Sequence, residues 1–358
     1  MQRDEVASWL HLLQAQGIGG DTARRLLAAF GLPQQVLAQS VASLQQCVSA
    51  RQAAALQVCS PETETLIETT WQWLQQSTAD IQRRLLVLGD PDYPQALLNM
   101  ADPPVLLYAT GQVDRWLAQQ QPCIAVVGSR NPTPQGDSNA RQFCKALSGA
   151  GWAVVSGMAL GVDTAAHEGA LQAACADAGI ATIATIAVVG TGLDRVYPKQ
   201  NRDLAHRIAQ HGVLLSEQPL GTPPLPHHFP QRNRIIAGLS HGVLVVEAAL
   251  QSGSLITARL AIEQGKEVFA IPGSIHAPQV RGCHALIKQG AKLVESMQDI
   301  ELELQHLLPP STASQTTAQS AVGVASDIAA DDVCAAATDS GNVILQALGH
   351  DTASLDLL

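Results

Sequence analysis

Aromatic residues make up only 3% of this 358-residue sequence, and no apolar run approaches the roughly 18 residues that cross a membrane. The first residues, MQRDEVASWL, lack the basic start and apolar centre of a signal peptide. The seven cysteines are odd in number and never spaced as CxxC, which predicts reduced thiols and neither a disulfide framework nor a zinc site. These absences favour a cytoplasmic protein without membrane insertion.

Basic residues are missing from the C-terminal part of the chain. Residues 293–358 contain ten of the 31 acidic residues and no Lys or Arg. Residues 1–292 therefore hold 21 acids against 21 Lys and Arg, and the net charge of −10 belongs to the C-terminal part. Because a neutral body can still carry a basic patch, this charge does not exclude nucleic acid as a partner.

Familiar catalytic and nucleotide-binding motifs are also missing. The first strand of the main domain is followed by GSRNPTPQG instead of GxGxxG, and Gly265-Lys266 precedes Glu, which rules out a P-loop. No GxSxG or HExxH motif occurs. An NAD enzyme is therefore disfavoured, and we expect no metal, no cofactor and no assembled catalytic set.

Apolar runs alternate with helix-length segments from Pro122 onward. The runs are 124–127, 152–155, 183–189, 213–215, 243–246 and 268–271, and the intervening helical segments include 135–149, 163–178, 201–211 and 254–265. Their Val, Ile and Ala content suits parallel strands that are buried on both faces. The alternation predicts an α/β fold with a Rossmann-like, doubly wound parallel sheet whose site lies at the carboxyl ends of the strands.

The segments around this region predict further parts of the chain. Residues 4–75 have helical periodicity, and Gly17 to Leu27 reads as a glycine turn before a helix. That pattern suits a helix-hairpin-helix unit, which offers N–H groups to a DNA phosphate, or equally a tight turn in a small helical domain. Residues 83–118 contain two extended segments. We expect a helical domain at 1–80, a Rossmann-like domain at 81–305, a flexible acidic linker at 306–340 and a short last piece at 341–358.

Four predicted strands end in polar turns that contain glycine. These turns are 128–130, 156–163, 190–192 and 252–254. The free N–H groups of such turns suit an anion. Five cations could surround it: Arg130, Lys199, Arg202, Arg232 and Arg234. The set predicts a site for a phosphate-containing ligand, and five such contacts to a single strand would give a log–log salt slope of about −3.5.

Residues 226–261 contain most of these features. We interpret their first part as a loop that carries His227, His228, Phe229, Arg232 and Arg234. The remainder reads as a short helical run, a strand and a turn that opens a helix. The two histidines suit polar groove residues better than metal ligands. Phe229 and Tyr197 lie in polar segments beside Arg or Lys, where an aromatic ring either stacks on an unpaired base or closes the edge of a core.

Three titratable residues are candidates for catalysis. Asp163 and His167 are four apart on a predicted helix, where an N-cap role for Asp163 and a packing or surface role for His167 are favoured over acid–base chemistry or metal binding. Glu247 ends a predicted strand and is the best lone carboxylate. It equally suits an acceptor of hydrogen bonds from a neighbouring turn or from an Arg in its own site.

A series of motifs resembles a known family. The motifs are VVGSR (126–130), VVSGMALGVDTAAHEGAL (154–171), GTGLDRVYPKQNRDL (190–204), SEQPLG (216–221), HHFPQRNRIIAGLS (227–240), VVEAALQSGSLITARLA (245–261) and FAIPG (269–273). Their content and order over residues 85–300 resemble the DNA-processing protein A (DprA, or Smf) family of bacterial transformation. The resemblance implies a single-stranded DNA-binding protein of competence and DNA recombination, without enzymatic activity. It also implies protection of incoming strands, loading of the recombinase RecA and a homodimer formed through about residues 255–295.

The resemblance also implies roles for particular residues. Gly128, Ser129 and Arg130 would hold backbone phosphate, and Gly161 and the turn from Gly190 to Gly192 would line the groove. The strand would be gripped by Phe229, Arg232, Asn233 and Arg234, opposite Ser252, Gly253, Ser254 and Thr257. Two departures stand out: His284 replaces a common Asn, and 341–358 resembles only the start of the winged-helix domain of many members, as if that domain were truncated or lost.

The alternative function is a nucleotide-processing enzyme of the lysine-decarboxylase-like phosphoribohydrolase class. Such enzymes use a glycine-rich turn and a Glu to hydrolyse nucleoside monophosphates. Their PGGxGT-type turn is absent, and SGSLITA stands in its place. The resemblance to the DNA-processing family therefore outweighs this reading.

Overall fold

The computed structural model of the chain describes residues 1–176 and 182–307. Its N-terminal part consists of helices α1 Arg3–Gln14, α2 Gly20–Phe30, α3 Pro33–Leu37, α4 Val41–Leu44, α5 Ala50–Leu56 and α6 Pro61–Gln75. The predicted helical character of residues 4–75 is thus confirmed. Nearly all of the predicted linker and the whole of 341–358 lie outside the described residues.

Local sequence signals explain where the N-terminal helices begin. The side chains of Ser40, Ser49 and Ser60 each accept a hydrogen bond from the backbone N–H three residues later, at the starts of α4, α5 and α6. Gly17, in the turn between α1 and α2, has a φ of +81°, a conformation that favours glycine. The Nε2 atom of Gln52 donates a 2.7 Å hydrogen bond to the carbonyl oxygen of Gly17 and fixes this turn.

One sheet of nine strands forms the centre of the described structure. Its strands are β1 Gln82–Val87, β2 Leu106–Gly111, β3 Cys123–Val127, β4 Ala153–Ser156, β5 Thr185–Val189, β6 Val213–Ser216, β7 Gly242–Val245, β8 Glu267–Ala270 and β9 Lys292–Leu293. They follow the order β1-β2-β6-β5-β4-β3-β7-β8-β9. Strands β3 to β9 pair in parallel, whereas β2 pairs antiparallel with both β1 and β6. The two extended segments predicted within 83–118 therefore belong to the main sheet.

Helices accompany the strands along the chain. They are α7 Gln95–Leu98, α8 Val113–Gln119, α9 Pro134–Gly149, α10 Val162–Ala176, α11 Arg202–His211, α12 His228–Leu239, α13 Ser254–Glu263, α14 Arg281–Lys288 and α15 Met297–Leu304. Successive residues of β3 pack into different hydrophobic clusters: Ile124 and Val126 into one, Ala125 and Val127 into the other. Because side chains of a strand alternate between its faces, both faces of the sheet are buried. The predicted doubly wound α/β fold is confirmed.

The proposed boundary at residue 80 stays a prediction. The helices α1 to α6 end just before β1, but their core also includes Leu85, Val105, Leu106 and Tyr108 of the sheet edge. Residues Met1–Pro309 form one compact unit by their internal contacts. In the described part of the chain, no helix is both long and apolar enough to cross a membrane.

The interpretation of residues 227–234 as a loop is wrong. Helix α12 already begins at His228, so Phe229, Arg232 and Arg234 are helical. Pro230 lies in the first turn, where backbone N–H groups have no partner within the helix, and a proline is tolerated there. The described structure thus presents the motif residues with helical spacing.

The chain reverses direction across the sheet at β3. The strands β4, β5 and β6 are added on one side of β3, and β7, β8 and β9 on the other. In open α/β sheets a crevice forms at the carboxyl ends of the strands where the order reverses. The turns after β3 and β7 meet at this point.

Candidate functional site

A groove of about 630 Å³ opens at the carboxyl ends of β3 and β7. Nine of the sixteen predicted site residues line it: Gly128, Arg130, Phe229, Arg232, Asn233, Ser252, Gly253, Ser254 and Thr257. They come from the turn after β3, from α12 and from the start of α13. The remaining wall includes Tyr197, Pro226 and Ile256, which the predicted site lacks.

Arg130 provides an exposed cation at the groove. Its guanidinium carbon lies 5.9 Å from the centroid of the Phe229 ring, within the range of a cation–π interaction. Among the described residues, Arg130 forms no ion pair with an acidic side chain. Its positive charge is therefore available to an anionic ligand.

The turn that carries Arg130 is packed against the start of α10. A Cβ atom on Gly128 would lie 2.7 Å from the Val162 side chain, so a larger residue does not fit there. The carbonyl oxygen of Ser129 accepts a 3.0 Å hydrogen bond from the Val162 N–H, and its hydroxyl accepts one from the Asn131 N–H. Ser129 shapes the turn in this way and does not line the groove.

The turn from Ser252 to Ser254 forms the facing wall. Its exposed Gly253 has open space around the position of a Cβ atom, which permits close approach of a ligand to the backbone. The Leu255 N–H is already bonded to the carbonyl oxygen of Ser252, and the hydroxyls of Ser252 and Ser254 lie 2.6 Å apart. The expected row of free N–H groups is thus partly satisfied within the turn.

Arg232 lines the groove, but it is 7% exposed and bonded internally. Its Nη1 atom donates a 3.0 Å hydrogen bond to the carbonyl oxygen of Val188, and Nη2 lies 3.9 Å from a carboxylate oxygen of Asp163. Burial raises the pKa of Asp163 and lowers the pKa of Arg232, and each charge opposes the shift of the other. The expectation that Arg232 is free to grip a phosphate is corrected, since its charge faces a buried carboxylate.

Arg234 lies outside the groove. Its Nη2 atom donates to both carboxylate oxygens of Glu217, at 2.5 and 2.7 Å, and Nε lies 3.0 Å from Asp102. Two residues along a helix turn a side chain through about 200°, so Arg232 and Arg234 leave α12 in opposite directions. Arg234 therefore does not line the groove, and its two ion pairs disfavour the predicted contact with the ligand.

Three predicted glycines support loops and do not line the groove. A Cβ atom on Gly161, whose φ is +83°, would lie 2.4 Å from the Ser129 carbonyl oxygen. A Cβ atom on Gly190 would lie 3.4 Å from His228, and one on Gly192 would lie 2.6 Å from the Pro219 carbonyl oxygen. Close backbone packing accounts for glycine at 161 and 192.

Lys199 and Arg202 are exposed but do not line the groove. Tyr197, two residues before Lys199, does line it, with 46% of its surface exposed. Its ring centroid lies 5.5 Å from that of Phe229. Tyr197 therefore does not close the edge of a core, and its stacking on a base stays a prediction. In the sequence, the indication that Tyr197 lies at the site is an aromatic residue in a polar segment close to a lysine.

The histidines around the groove have packing roles. His228 is buried, and its Nδ1 lies 3.2 Å from the carbonyl oxygen of Gly190, while the ring of exposed His227 lies 4.4 Å away. Neither residue lines the groove, which corrects their interpretation as groove residues. Across residues 1–176 and 182–307 there is no group of three His, Cys, Asp or Glu that could hold a metal ion.

Asp163 contributes to the lining of the groove, and His167 lies beneath it. His167 is fully buried, and its Nδ1 lies 2.7 Å from the hydroxyl of Thr185, which itself donates to the Val154 carbonyl oxygen. The imidazole therefore donates through Nδ1, and burial lowers its pKa to about 3. The packing role of His167 is confirmed, whereas Asp163 is the second residue of α10 and not its N-cap.

Glu247 accepts hydrogen bonds at the start of α9. Its two carboxylate oxygens accept from the N–H of Thr133 at 2.9 Å and from the Thr133 hydroxyl at 2.5 Å. Thr133 is the N-cap of α9, and the side chain of Glu247 is so close to this turn that a Cβ atom on Gly136 would meet it at 2.3 Å. A carboxylate at a helix N-terminus is stabilised by the helix dipole. The structure thus confirms the reading of Glu247 as an acceptor for a neighbouring turn.

A second cavity, of about 450 Å³, lies at the amino end of β3 beside Cys123 and Trp116. Its only lining arginine, Arg84, lies 2.9 Å from a carboxylate oxygen of Asp92 and 2.6 Å from one of Asp114. The cation is thus neutralised by two carboxylates, which disfavours a phosphate ligand there. The groove at the carboxyl ends is the better anion site.

Comparison with known proteins gives a consistent result. The sequence model of the family DNA recombination-mediator protein A matches residues 84–305. Protein Smf of Escherichia coli (strain K12) is 41% identical over 305 residues, which cover 84% of this chain and 76% of that protein. These similarities extend over the sheet and the groove.

Two solved structures are also similar. DNA processing protein A (DprA) from Streptococcus pneumoniae superposes with a TM-score of 0.70 at 36% identity and covers 85% of this chain and 98% of its own. DNA processing protein A from Helicobacter pylori, studied for its single-stranded DNA binding mode, has a TM-score of 0.54 at 30% identity and covers 63% of this chain and 98% of its own. The fold is therefore shared with both proteins.

Proposed function

The chain belongs to the DNA recombination-mediator protein A family, and on this premise we propose that it binds single-stranded DNA in the groove between α12 and the turn 252–254. In natural transformation it would protect incoming strands in the cytoplasm and help to load RecA onto them. The support is the family membership and the single-stranded DNA binding mode described for the Helicobacter pylori protein.

One observation carries this proposal: the arrangement of Arg130, Phe229 and Tyr197 at one groove. Arg130 offers a cation to a phosphate, and the two rings offer faces to bases. Single-stranded DNA supplies both groups in alternation along one strand, whereas the bases of a duplex already stack on each other. A sequence-independent single-strand binder fits these contacts.

We propose binding without catalysis. The best candidate for a catalytic carboxylate, Glu247, is 5% exposed and uses both of its oxygens to accept from Thr133. Such a carboxylate would have to break the N-cap of α9 before it could act as a base or nucleophile. This arrangement disfavours the nucleotide-hydrolase alternative.

A homodimer formed through residues 255–295 is part of the proposal. Large apolar side chains in and near this range are between 38 and 73% exposed: Leu250, Ile256, Ile262, Ile275 and Leu293. Exposed apolar surface of this kind often marks a protein interface. Sedimentation of wild type beside Ile262→Glu tests it: a dimer that the substitution converts to monomer supports the interface, and a monomeric wild type contradicts it.

The central experiment measures binding of labelled oligo-dT and of a duplex of equal length by fluorescence anisotropy across a salt series. Wild type, Arg130→Ala and Lys145→Ala are compared; Lys145 is exposed on α9 and does not line the groove. Both substitutions remove one positive charge, so the comparison separates the position of the charge from its number.

We expect wild type to bind oligo-dT more tightly than duplex, with an affinity that falls as salt rises. Arg130→Ala should weaken binding and make the log–log salt slope less negative by about 0.7, the value for one phosphate contact to a single strand. Lys145→Ala should change neither quantity. Absence of binding to oligo-dT, or equal effects of the two substitutions, contradicts the proposed groove.

A further inference from the structure

We propose that Tyr197 is a nucleobase-stacking surface and that it gives the groove its preference for single strands. This inference rests on the proposed function and adds a specific subsite to it. The sequence leaves Tyr197 between base stacking and packing at the edge of a core. In the structure Tyr197 is the last of a row of three side chains, after Arg130 and Phe229.

Arg130 contacts Phe229, and Phe229 in turn contacts Tyr197. The guanidinium carbon of Arg130 lies 5.9 Å from the Phe229 centroid, and the Phe229 centroid lies 5.5 Å from that of Tyr197, with the rings tilted by 38°. Phe229 is therefore in contact with both Arg130 and Tyr197, and its side chain is only partly exposed. Tyr197 ends the row and leaves 46% of its surface to solvent, so it has room for a further planar group.

The exposure of Tyr197 contrasts with that of its neighbour. Val196 packs against the hydrophobic cluster of β5 and α11, where it helps to anchor the loop. Tyr197 instead lines the groove. An aromatic side chain buries a large apolar area when it finds a partner. The ring therefore gains contact area when a base covers it.

The loop that carries Tyr197 is held on both sides. After it, buried Asn201 donates through Nδ2 to the carbonyl oxygen of Met158 and to the hydroxyl of Thr164, each at 2.9 Å. Before it, a carboxylate oxygen of Asp194 accepts a 2.8 Å hydrogen bond from the Gly221 N–H. A ring on a fixed loop loses little conformational entropy when a ligand binds. These bonds pre-organise Tyr197 for stacking.

The ligand class follows from the neighbours of the ring. A base that stacks on Tyr197 belongs to the same strand as the phosphates that Arg130 attracts, because both side chains line one groove. Stacking accepts any base, since every base has a π face. Paired bases in a duplex offer no free face. Tyr197 thus selects single strands without reading their sequence.

The test compares oligo-dT with an oligonucleotide of the same length whose central residues are abasic, so that phosphates remain and bases are absent. Wild type, Tyr197→Phe, Tyr197→Leu and Tyr197→Ala are measured by anisotropy across salt, together with Arg130→Ala. Tyr197→Phe keeps the aromatic face, and Tyr197→Leu keeps apolar bulk without it. Thermal unfolding of each variant checks that the fold is retained.

We expect Tyr197→Leu and Tyr197→Ala to bind oligo-dT more weakly by about 5- to 150-fold, the range for one lost stack, with the salt slope unchanged. Their affinity for the abasic oligonucleotide should equal that of wild type, and Tyr197→Phe should bind like wild type. Arg130→Ala should instead weaken binding to both oligonucleotides.

Two results overturn the inference in distinguishable ways. If Tyr197→Leu and Tyr197→Ala bind oligo-dT as wild type does, or weaken both oligonucleotides equally, Tyr197 does not stack on a base, while the effect of Arg130→Ala still supports the groove. If wild type binds neither oligonucleotide, the proposed function fails together with the inference.

Discussion

The Nη1 atom of Arg232 donates a 3.0 Å hydrogen bond to the carbonyl oxygen of Val188, the penultimate residue of β5. This bond ties α12 to the carboxyl end of a central strand. Asp163, at the start of α10, lies on the same guanidinium at 3.9 Å. Arg232 therefore joins three elements, α12, β5 and α10, at the groove.

Gly157 is the residue that leaves room for this arginine. A Cβ atom at position 157 would lie 1.5 Å from Nη1 of Arg232, and the buried guanidinium can move away only by breaking its bond to Val188. We expect Gly157→Ala to lower the free energy of unfolding by about 1–3 kcal/mol, as overpacking does, and to weaken binding of oligo-dT. Urea unfolding and anisotropy measure the two effects.

The matched control is Gly149→Ala, because a Cβ atom at Gly149 meets no atom within 4 Å outside its own helix. It should change stability by less than about 1 kcal/mol, the difference in helix propensity between the two residues. If Gly157→Ala and Gly149→Ala have equal free energies of unfolding, the guanidinium of Arg232 moves aside without loss of stability, and the prediction is contradicted.

Arg234 is expected to support stability and not binding. Arg234→Met removes the partner of Glu217, whose side chain is 27% exposed, and of Asp102. Loss of the partner of a largely buried carboxylate should cost about 1–3 kcal/mol of unfolding free energy. The salt slope for oligo-dT should stay at its wild-type value, because the charge of Arg234 does not face the groove.

Arg3→Met provides the control for this substitution. It breaks the ion pair with Glu68, in which both side chains are about half exposed, and exposed pairs contribute at most about 1 kcal/mol. A salt slope that becomes less negative by about 0.7 in Arg234→Met would instead indicate a phosphate contact and contradict its structural role.

The wild-type salt slope itself distinguishes the structure from the sequence-based expectation. Five free cations predict a slope of about −3.5, but the charges of Arg232 and Arg234 face carboxylates. Arg130, Lys199 and Arg202 remain exposed, but only Arg130 lines the groove. The slope should therefore lie between about −0.7, for Arg130 alone, and about −2, if the strand also reaches Lys199 and Arg202 outside the groove. Anisotropy with oligo-dT between low and moderate salt measures this slope. A slope near about −3.5 would mean that the strand contacts further cations besides Arg130, Lys199 and Arg202.

Acid stability should depend on His167. Burial lowers its pKa to about 3, below the value of about 6.5 in the unfolded chain, so the unfolded chain binds more protons between these two pH values. Stability is therefore full above about pH 6.5 and falls as the pH drops through this window. The loss approaches 1.4 kcal/mol for each pH unit, or about 2 kcal/mol between pH 6.5 and pH 5.

The comparison of wild type with His167→Asn isolates this contribution. Asparagine cannot titrate, and its amide can still donate to the hydroxyl of Thr185. The variant should be less stable at pH 7.5 but should lose less stability between pH 6.5 and pH 5. Arg232, whose charge also lowers the pKa of His167, is common to both proteins. His206→Asn, on the exposed face of α11, is the control, and parallel pH profiles for wild type and His167→Asn would contradict the assignment.

Residue patterns were sufficient for the fold and for the position of the groove. Each predicted strand from 124–127 to 268–271 occurs within two residues of its expected bounds. Short Val- and Ile-rich runs that alternate with helix-length segments are typical of parallel strands buried on both faces. The turns after β3 and β7 converge because the carboxyl ends of parallel strands share one edge. The periodicity of the apolar residues determines the fold, and the common direction of the parallel strands determines where the groove lies.

The sequence by itself determined the doubly wound α/β fold, and it predicted a phosphate-binding groove with arginines and an aromatic ring. Only the tertiary structure decided which of those residues face the groove. Arg232 and Arg234 have the same chemistry in the sequence, but helical geometry turns them towards different carboxylates, Asp163 and Glu217. Ion pairs of this kind join residues far apart in the chain, so their partners emerge only when the elements pack. Tyr197, in contrast, remains exposed beside Arg130 and Phe229 because its loop is fixed elsewhere, through Asn201 and Asp194.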